Sequence, residues 1–315
     1  MPVQSGHSRM TSKQDWLEMS IQSTPELVEP VSELFQRYGD AGVVVQLEGD
    51  WDPDNDQNVT TEPTKITVIT YLKVDSTIQN RTAMIEIGIR LISHIQPLGQ
   101  LESRTITERD WENAWKGHFT LLRIGKRIVL KPTWEGYKAR PTDIVVELDP
   151  GMAFGTGHHP TTRMCLEELE RYVSDGSQVL DVGIGSGILS IAAAKLGASQ
   201  VVGLDIEDAA VEASLGNAKQ NDVSNKIQVY KGSLPHSALD QEAFDIVVAN
   251  LTANVITGLA QQIALSLRSQ GVLIASGIIT DRQPETEEAI AQVLTIKTRR
   301  YDGDWVLLVA QKESY

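Results

Sequence analysis

Two glycine-rich loops around a single apolar strand constrain this chain more than any other feature. The first runs from Leu148 to Thr162 (LDPGMAFGTGHHPTT), and the second lies within Val179–Gly187 (VLDVGIGSG). Each leads into a stretch with helical spacing, so both line one crevice beside the intervening strand. Glycine carries no Cβ, which lets backbone N–H groups approach a polar ligand closely. One such loop is common to many turns. Two in tandem, with Asp205 at the end of the next apolar run, point to a nucleoside-bearing cofactor.

Beyond the second loop the pattern alternates. Strand Val179–Val182 precedes helix Gly187–Leu196, strand Gln200–Leu204 precedes helix Asp208–Asn221, and strand Ile227–Tyr230 follows. Strand Phe244–Ala249 leads to helix Val255–Leu267, and strand Gly271–Ser276 leads to helix Pro284–Val293. Two last strands, about Thr295–Tyr301 and Trp305–Gln311, meet at Asp302-Gly303-Asp304 as a hairpin. Alternation of this kind implies an α/β fold with a mostly parallel sheet covered on both faces, and the hairpin adds one antiparallel strand.

The first hundred residues follow another order. Short strands Trp16–Ile21 and Gly42–Leu47 flank a helix, about Pro25–Tyr38, with Pro25 suited to its first turn. Strand Lys65–Val74, helix Ile78–Ile95 and strand Leu101–Thr107 complete a strand–helix–strand–strand–helix–strand unit, the ferredoxin-like pattern. The expected organisation is a small α+β domain over 1–108, a connector over 109–140, and a larger α/β domain over 141–315. Within the connector, Trp111, Ala114, Trp115 and His118 form one apolar stripe of a short helix, suited to packing. Strands Arg127–Pro132 and Ile144–Leu148 follow it.

Composition removes several function classes. No apolar run approaches ~18 residues, so no membrane-spanning helix is expected. The polar N-terminus and the single cysteine, Cys165, suit the cytoplasm. Cys165 falls on the apolar side of a helix and reads as core filler. A net charge of −14 disfavours a broad electrostatic grip on nucleic acid and is compatible with a basic protein partner. Asp50, Asp52, Asp54 and Asp56 invite a calcium reading, but an EF-hand loop counted from Asp50 has Asn55 and Thr61 where Gly and Glu are required. A solvated acidic loop is the better reading. His158 and His159 are adjacent on an extended loop, so their side chains diverge, and loop shaping or substrate lining fits them better than metal binding.

In doubly wound sheets a ligand binds outside the carboxyl ends of the strands, where the strand order reverses. Asp181, Gly183, Gly185 and Gly187 end the first strand of the alternating series, Asp205 the second and Asn250 the fourth. A carboxylate at Asp205 can accept from both ribose hydroxyls. The glycine spacing departs from the G-x-G-x-x-G of dinucleotide sites. D-x-G-x-G-x-G is instead the variant of S-adenosylmethionine enzymes, whose ligand has no pyrophosphate.

LDPGMAFGTGHHPTT followed by VLDVGIGSGILSIAAAKLGA resembles the PrmA family of methyltransferases, which modify ribosomal protein L-eleven. The Asp110–Trp115 segment and the strand ending Lys131-Pro132-Thr133-Trp134 resemble that family's connector. The likeness is dense over about 108–280, and over the first hundred residues only the element order agrees. It implies a class I methyltransferase domain with a seven-stranded sheet, behind a small substrate-recognition domain, and S-adenosylmethionine as cofactor. By match, Thr162, Gly183, Asp205 and Asn250 are the cofactor contacts, with Thr162 near the methionine end, Gly183 beneath it and Asp205 on the ribose. Many amino-group methyltransferases carry Asn-Pro-Pro-Tyr where this chain has Asn250-Leu251-Thr252-Ala253. That departure leaves the aromatic clamp on the amine unassigned, and Phe154 is the expected replacement.

A lysine with pKa near 10.4 is neutral in only about one molecule in 2,500 at pH 7, so its site must desolvate it or help its proton leave. Asn250 is no base, but its carbonyl can accept from the amine and aim the lone pair. No general base is named. The resulting expectation is a cytoplasmic, monomeric protein N-methyltransferase acting on lysine side chains and the α-amino group of ribosomal protein L-eleven. Two other readings stand beside it: a methyltransferase of another protein, nucleic acid or small molecule, and a catalytically silent S-adenosylmethionine-binding interaction protein.

Overall fold

The computed structural model describes residues 15–40, 43–48, 65–107, 121–148 and 159–314. The chain divides into two compact units, 1–118 and 119–315. The acidic loop Asp50–Asp56, the Trp111/Trp115 stripe, Phe154 and His158 lie outside the described residues.

In the first unit, β1 (Asp15–Ser23), α1 (Val28–Tyr38), β2 (Val43–Glu48), β3 (Lys65–Lys73), α2 (Ile78–Ser93) and β4 (Glu102–Thr107) follow the expected order. The sheet order is β2-β3-β1-β4, and every neighbouring pair is antiparallel. Period-2 alternation sends Met19 and Ile21 of β1 and Val68 and Leu72 of β3 to one face, against Val31 and Phe35 of α1 and Ile85 and Ile89 of α2. Arg104 of β4 holds the buried Glu18 of β1 through two hydrogen bonds, 2.6 and 2.9 Å, which ties the edge strand on. The first helix starts later than its sequence suggests. Residues 25–27 form a 3₁₀ turn closed by Leu27 N–H to Thr24 C=O, and the α-helix begins at Val28. Pro30 has no N–H to extend the α ladder back to Glu26, so the first turn tightens instead.

The second unit opens with a three-stranded sheet of β5 (Leu122–Ile124), β6 (Ile128–Lys131) and β7 (Ile144–Glu147). Its Ile124, Ile128, Leu130 and Val146 join the core beneath α3 (Pro160–Tyr172) and α4 (Ile188–Leu196). The remaining elements are β8 (Gln178–Val182), β9 (Gln200–Asp205), α5 (Asp208–Gln220), β10 (Ile227–Lys231), β11 (Phe244–Asn250), α6 (Ala253–Ser266), β12 (Leu267–Ile279), α7 (Gln283–Ala291), β13 (Thr295–Asp302) and β14 (Trp305–Gln311).

The large sheet has the order β10-β9-β8-β11-β12-β14-β13. The pairs from β10 to β12 are parallel, and β14 runs antiparallel to both of its neighbours. Alternate residues feed two cores. Val179, Val201, Ile246 and Val248 face α3 and α4, while Leu180, Val202, Val247 and Ala249 face α6 and α7. Burial on both faces is why these strands read as continuous apolar runs rather than alternating ones. Strand β12 is longer than its apolar run implies. It begins directly after α6 and passes through Gly277, with a register shift against β14 between Ala275 and Ile278.

Candidate active site

The strand order reverses at β8, whose neighbours are β9 on one side and β11 on the other. The connections leaving β8 and β11 diverge there, and in sheets of this kind such a reversal marks the ligand crevice beyond the carboxyl ends of the strands. Four of the residues singled out in the sequence border it: Gly183 follows β8, Asp205 ends β9, Asn250 ends β11, and Thr162 stands in the first turn of α3.

The loop after β8 needs its glycines. Gly183, Gly185 and Gly187 have φ of +79°, +52° and +82°, a region L side chains avoid. The N–H groups of Gly183 and Ile184 both donate to Leu204 C=O, at 2.8 and 2.9 Å, which binds the loop to the end of β9. A Cβ on Gly183 would lie 2.4 Å from Leu251 Cδ2, and one on Gly187 3.1 Å from Ser214 Cβ. The loop therefore fits closely between α5 and the residue after Asn250.

Asp205 takes part in the same construction. Its Oδ2 accepts from Gly185 N–H at 2.9 Å and its Oδ1 from Glu207 N–H at 3.1 Å. An ionised carboxylate offers about four acceptor positions, so two remain for a pair of hydroxyls. The group is thus pre-aimed and still half-satisfied, which is what a ribose diol requires. Ile206, next in the chain, is 69% exposed and sets apolar surface beside that carboxylate, a feature sequence reading passed over. An exposed Ile directly after the acidic residue of a strand end is the signal that could have marked it.

On the other side, Asn250 Nδ2 donates to Thr162 Oγ1 at 3.3 Å, joining β11 to α3 across 88 residues. Thr162 is buried, so its position is set by the core beneath it. Helix α3 is capped by His159, whose Nδ1 accepts from Thr161 N–H at 3.4 Å and lies 2.7 Å from Thr161 Oγ1. The ring packs edge-on against Trp305, with centroids 4.7 Å apart. Burial, aided by the charge of Arg163, pushes the His159 pKa down to about 4, so the ring is neutral and able to cap at pH 7. His159 is a helix cap, one of the loop-shaping roles its sequence context suggested. Cys165 is buried in the core below α3, and its thiol pKa is pushed up by that burial.

Asp181, two residues before Gly183, is 1% exposed. Its Oδ2 accepts from Ser190 Oγ at 2.7 Å, while Oδ1 has no hydrogen-bond partner. Burial first, and the charge of Asp205 next, raise its pKa to about 7 against the opposing effect of Ser190. Among the described residues no group of three or more His, Cys, Asp or Glu side chains could hold a metal ion, and no helix is long and apolar enough to cross a membrane.

The three φ-positive glycines of a loop bound to the end of β9 and the half-satisfied Asp205 together suit a nucleoside ligand. Comparison with known proteins agrees. The family model described as ribosomal protein L11 methyltransferase (PrmA) matches residues 15–313. A relative in Chloroflexus aurantiacus with the same description is 42% identical, over 94% of this chain and 98% of its own. One in Pelotomaculum thermopropionicum is 40% identical, over 94% and 99%. The crystal structure of a ribosomal protein L11 methylase from Lactobacillus delbrueckii subsp. bulgaricus superposes with a TM-score of 0.57 at 32% identity, over 62% of this chain and 99% of that one.

The buried Asp181 has a measurable consequence. With its folded pKa near 7 and its unfolded pKa near the ordinary value of 3.8, the native state holds a proton the unfolded chain has released. Stability from this group is complete below about pH 4 and is lost as pH rises towards about 7. Asp181→Asn cannot ionise, so the melting temperature of the parent should fall relative to the variant between pH 4 and pH 7. Parallel melting curves across that range would contradict a protonated Asp181.

Proposed function

This chain belongs to the ribosomal protein L11 methyltransferase (PrmA) family, and on that footing we propose that it methylates lysine side chains and the α-amino group of ribosomal protein L11. It is an S-adenosylmethionine-dependent protein methyltransferase, as its family is. The observation that carries the finer reading is the Asn250–Thr162 tether facing Asp205 across the strand-order reversal. Asp205 holds the ribose, the backbone at Gly183 lies beneath the methionine part, and Thr162 takes its polar end. The cofactor supplies a methyl group already activated by a sulfonium, so the protein's task is alignment and proximity.

Asn250 does the aligning. Its Nδ2 is committed to Thr162 Oγ1, which leaves the carbonyl oxygen as the end that accepts from an incoming amine. Accepting the amine N–H turns the nitrogen lone pair towards the methyl group. An α-amino group is neutral in about a tenth of molecules at pH 7, a lysine in about one in 2,500. Closing the acceptor off from water lowers the lysine pKa, and its proton departs to solvent before transfer. Phe154 is our choice for the aromatic surface beside the acceptor, where this chain lacks the Asn-Pro-Pro-Tyr run.

Residues 1–108 choose the protein substrate, 109–140 connect, and 141–315 bind the cofactor. In support, Met84, Ile87, Leu91 and Ile95 expose an apolar stripe along and just past α2, on the side away from the buried Ile85 and Ile89. An acidic chain with net charge −14 also suits a basic ribosomal protein. The same reading makes the enzyme a cytoplasmic monomer that does not grip nucleic acid directly.

Incubation with methyl-labelled S-adenosylmethionine and a ribosomal extract should place the label on L11, at lysines and the N-terminus. Label confined to another protein or to RNA would defeat the proposal. Two variants separate the roles within the site. Hydrogen bonds to a charged group contribute about 1.5–3 kcal/mol each, so Asp205→Ala should weaken cofactor binding about ten-fold to a few hundred-fold by calorimetry. Asn250→Ala should lower single-turnover kcat by roughly 10²-fold with much less change in affinity, because misalignment is felt most at the transition state. Wild-type affinity in the first or wild-type rate in the second removes that residue from its role. Leu91→Asp in the full chain should raise KM for L11 and leave cofactor affinity unchanged; an unaltered KM would take the α2 stripe out of substrate recognition.

A further inference from the structure

The segment Asn250–Leu251 is held from two sides by glycines that face it. In β12, the register against β14 shifts between Ala275 and Ile278, and Gly277 within that bulge has a φ of +86°. A Cβ on Gly277 would lie 2.3 Å from Leu251 O, 2.8 Å from Leu251 C and 3.0 Å from Leu251 N. All three are backbone atoms, so no rotamer change could relieve the collision. The peptide is fastened there as well: Leu251 N–H donates to Ser276 C=O at 2.9 Å, and Ser276 Oγ donates to Val306 C=O at 3.1 Å. From the opposite side, the Leu251 side chain occupies the space beside Gly183 that a Cβ there would need.

We propose that Gly277 is a positioning residue for methyl transfer: lacking a side chain, it lets the β12 bulge press on the Leu251 peptide and so sets the direction of the Asn250 carboxamide. This rests on the reading of Asn250 as the group that aims the amine. The two ends of that carboxamide have separate duties, one to Thr162 and one to the acceptor. A shift of its backbone moves both. Gly277 touches no substrate or cofactor; it acts through Leu251 and Asn250. Displacement of an aligning group by about 1 Å is enough to cost roughly 10²-fold in rate.

The strain of a left-handed L-residue must be separated from the collision, and Gly176 provides the control. Its φ is +90°, nearly that of Gly277, yet a Cβ there would meet nothing within 4 Å. Full-length Gly277→Ala, Gly176→Ala and Asn250→Ala are compared by melting temperature, cofactor Kd, single-turnover rate at saturating cofactor, and the side-chain amide signals of Asn250 in nitrogen-15 spectra. Both glycine variants should lose thermal stability. Gly277→Ala alone of the two should lose about 10²-fold in rate and shift the Asn250 amide signals, with Kd changing far less than rate. Gly176→Ala should keep the wild-type rate and signals. A folded Gly277→Ala with wild-type rate, beside an impaired Asn250→Ala, overturns the role of Gly277 and leaves that of Asn250 standing. A wild-type rate in Asn250→Ala overturns both. Should Gly277→Ala not fold, Ser276→Ala removes the side-chain ties of Ser276 to Val306 C=O and to the Cys165 thiol, and is read in the same way: a several-fold loss of rate with unchanged Kd is expected, and an unchanged rate overturns the proposal.

Discussion

The hydrogen bond from Gly185 N–H to Asp205 Oδ2 is the contact on which the crevice depends. It joins the loop after β8 to the last residue of β9, and in doing so it orients the carboxylate proposed to hold the ribose. Gly183 and Ile184 reinforce the junction through Leu204 C=O, one residue earlier. Loop shape and carboxylate direction are therefore a single property. Neither could be altered without the other, and the left-handed glycines are what allow the chain to turn tightly enough for the bond to form.

The rest of the unit keeps that junction in place. β8, β9 and β11 are buried on both faces, and each fully buried Val, Leu or Ile contributes about 1.5–3 kcal/mol relative to exposure. Such strands cannot slide, so the polar residues at their carboxyl ends inherit a fixed spacing. Asp181 sits at the boundary of these two regimes. It lies deep enough for its charge to be disfavoured, yet only two residues from the loop. On the far side of the crevice, the Asn250–Leu251 turn is set by β12 and β14 rather than by its own helix, since α6 has no side-chain cap at Thr252.

Much of this was legible in the residues. Strand–helix alternation predicted the parallel sheet, the Asp302-Gly303-Asp304 turn predicted its one reversed strand, and the first hundred residues predicted a ferredoxin-like unit. The order of strands in space follows the expected reversal, with Gly183, Asp205 and Asn250 at the carboxyl ends of β8, β9 and β11 and Thr162 hydrogen-bonded to Asn250. What escaped depends on neighbours distant in the chain. The cap at His159 is set by burial against Trp305, and the raised pKa of Asp181 by its burial, which outweighs the hydrogen bond from Ser190. Strand β12 runs on through Gly277 because Leu251, 26 residues earlier, leaves no room for a side chain there. An isolated glycine in an apolar strand is a known sign of a bulge or a close backbone approach, so a trace of that feature was present. The start of α1 was shifted by Pro30, a local effect that the helix signal at Pro25 had masked.

The account turns on the ligand lying at the strand-order reversal with its ribose on Asp205. A crystal structure of the full chain with S-adenosylhomocysteine measures this directly. Both ribose hydroxyls should lie within hydrogen-bond distance of Asp205, the methionine part should cross Gly183, and the sulfur should face Asn250. A ligand bound elsewhere, or with its ribose hydroxyls turned away from Asp205, would contradict the account.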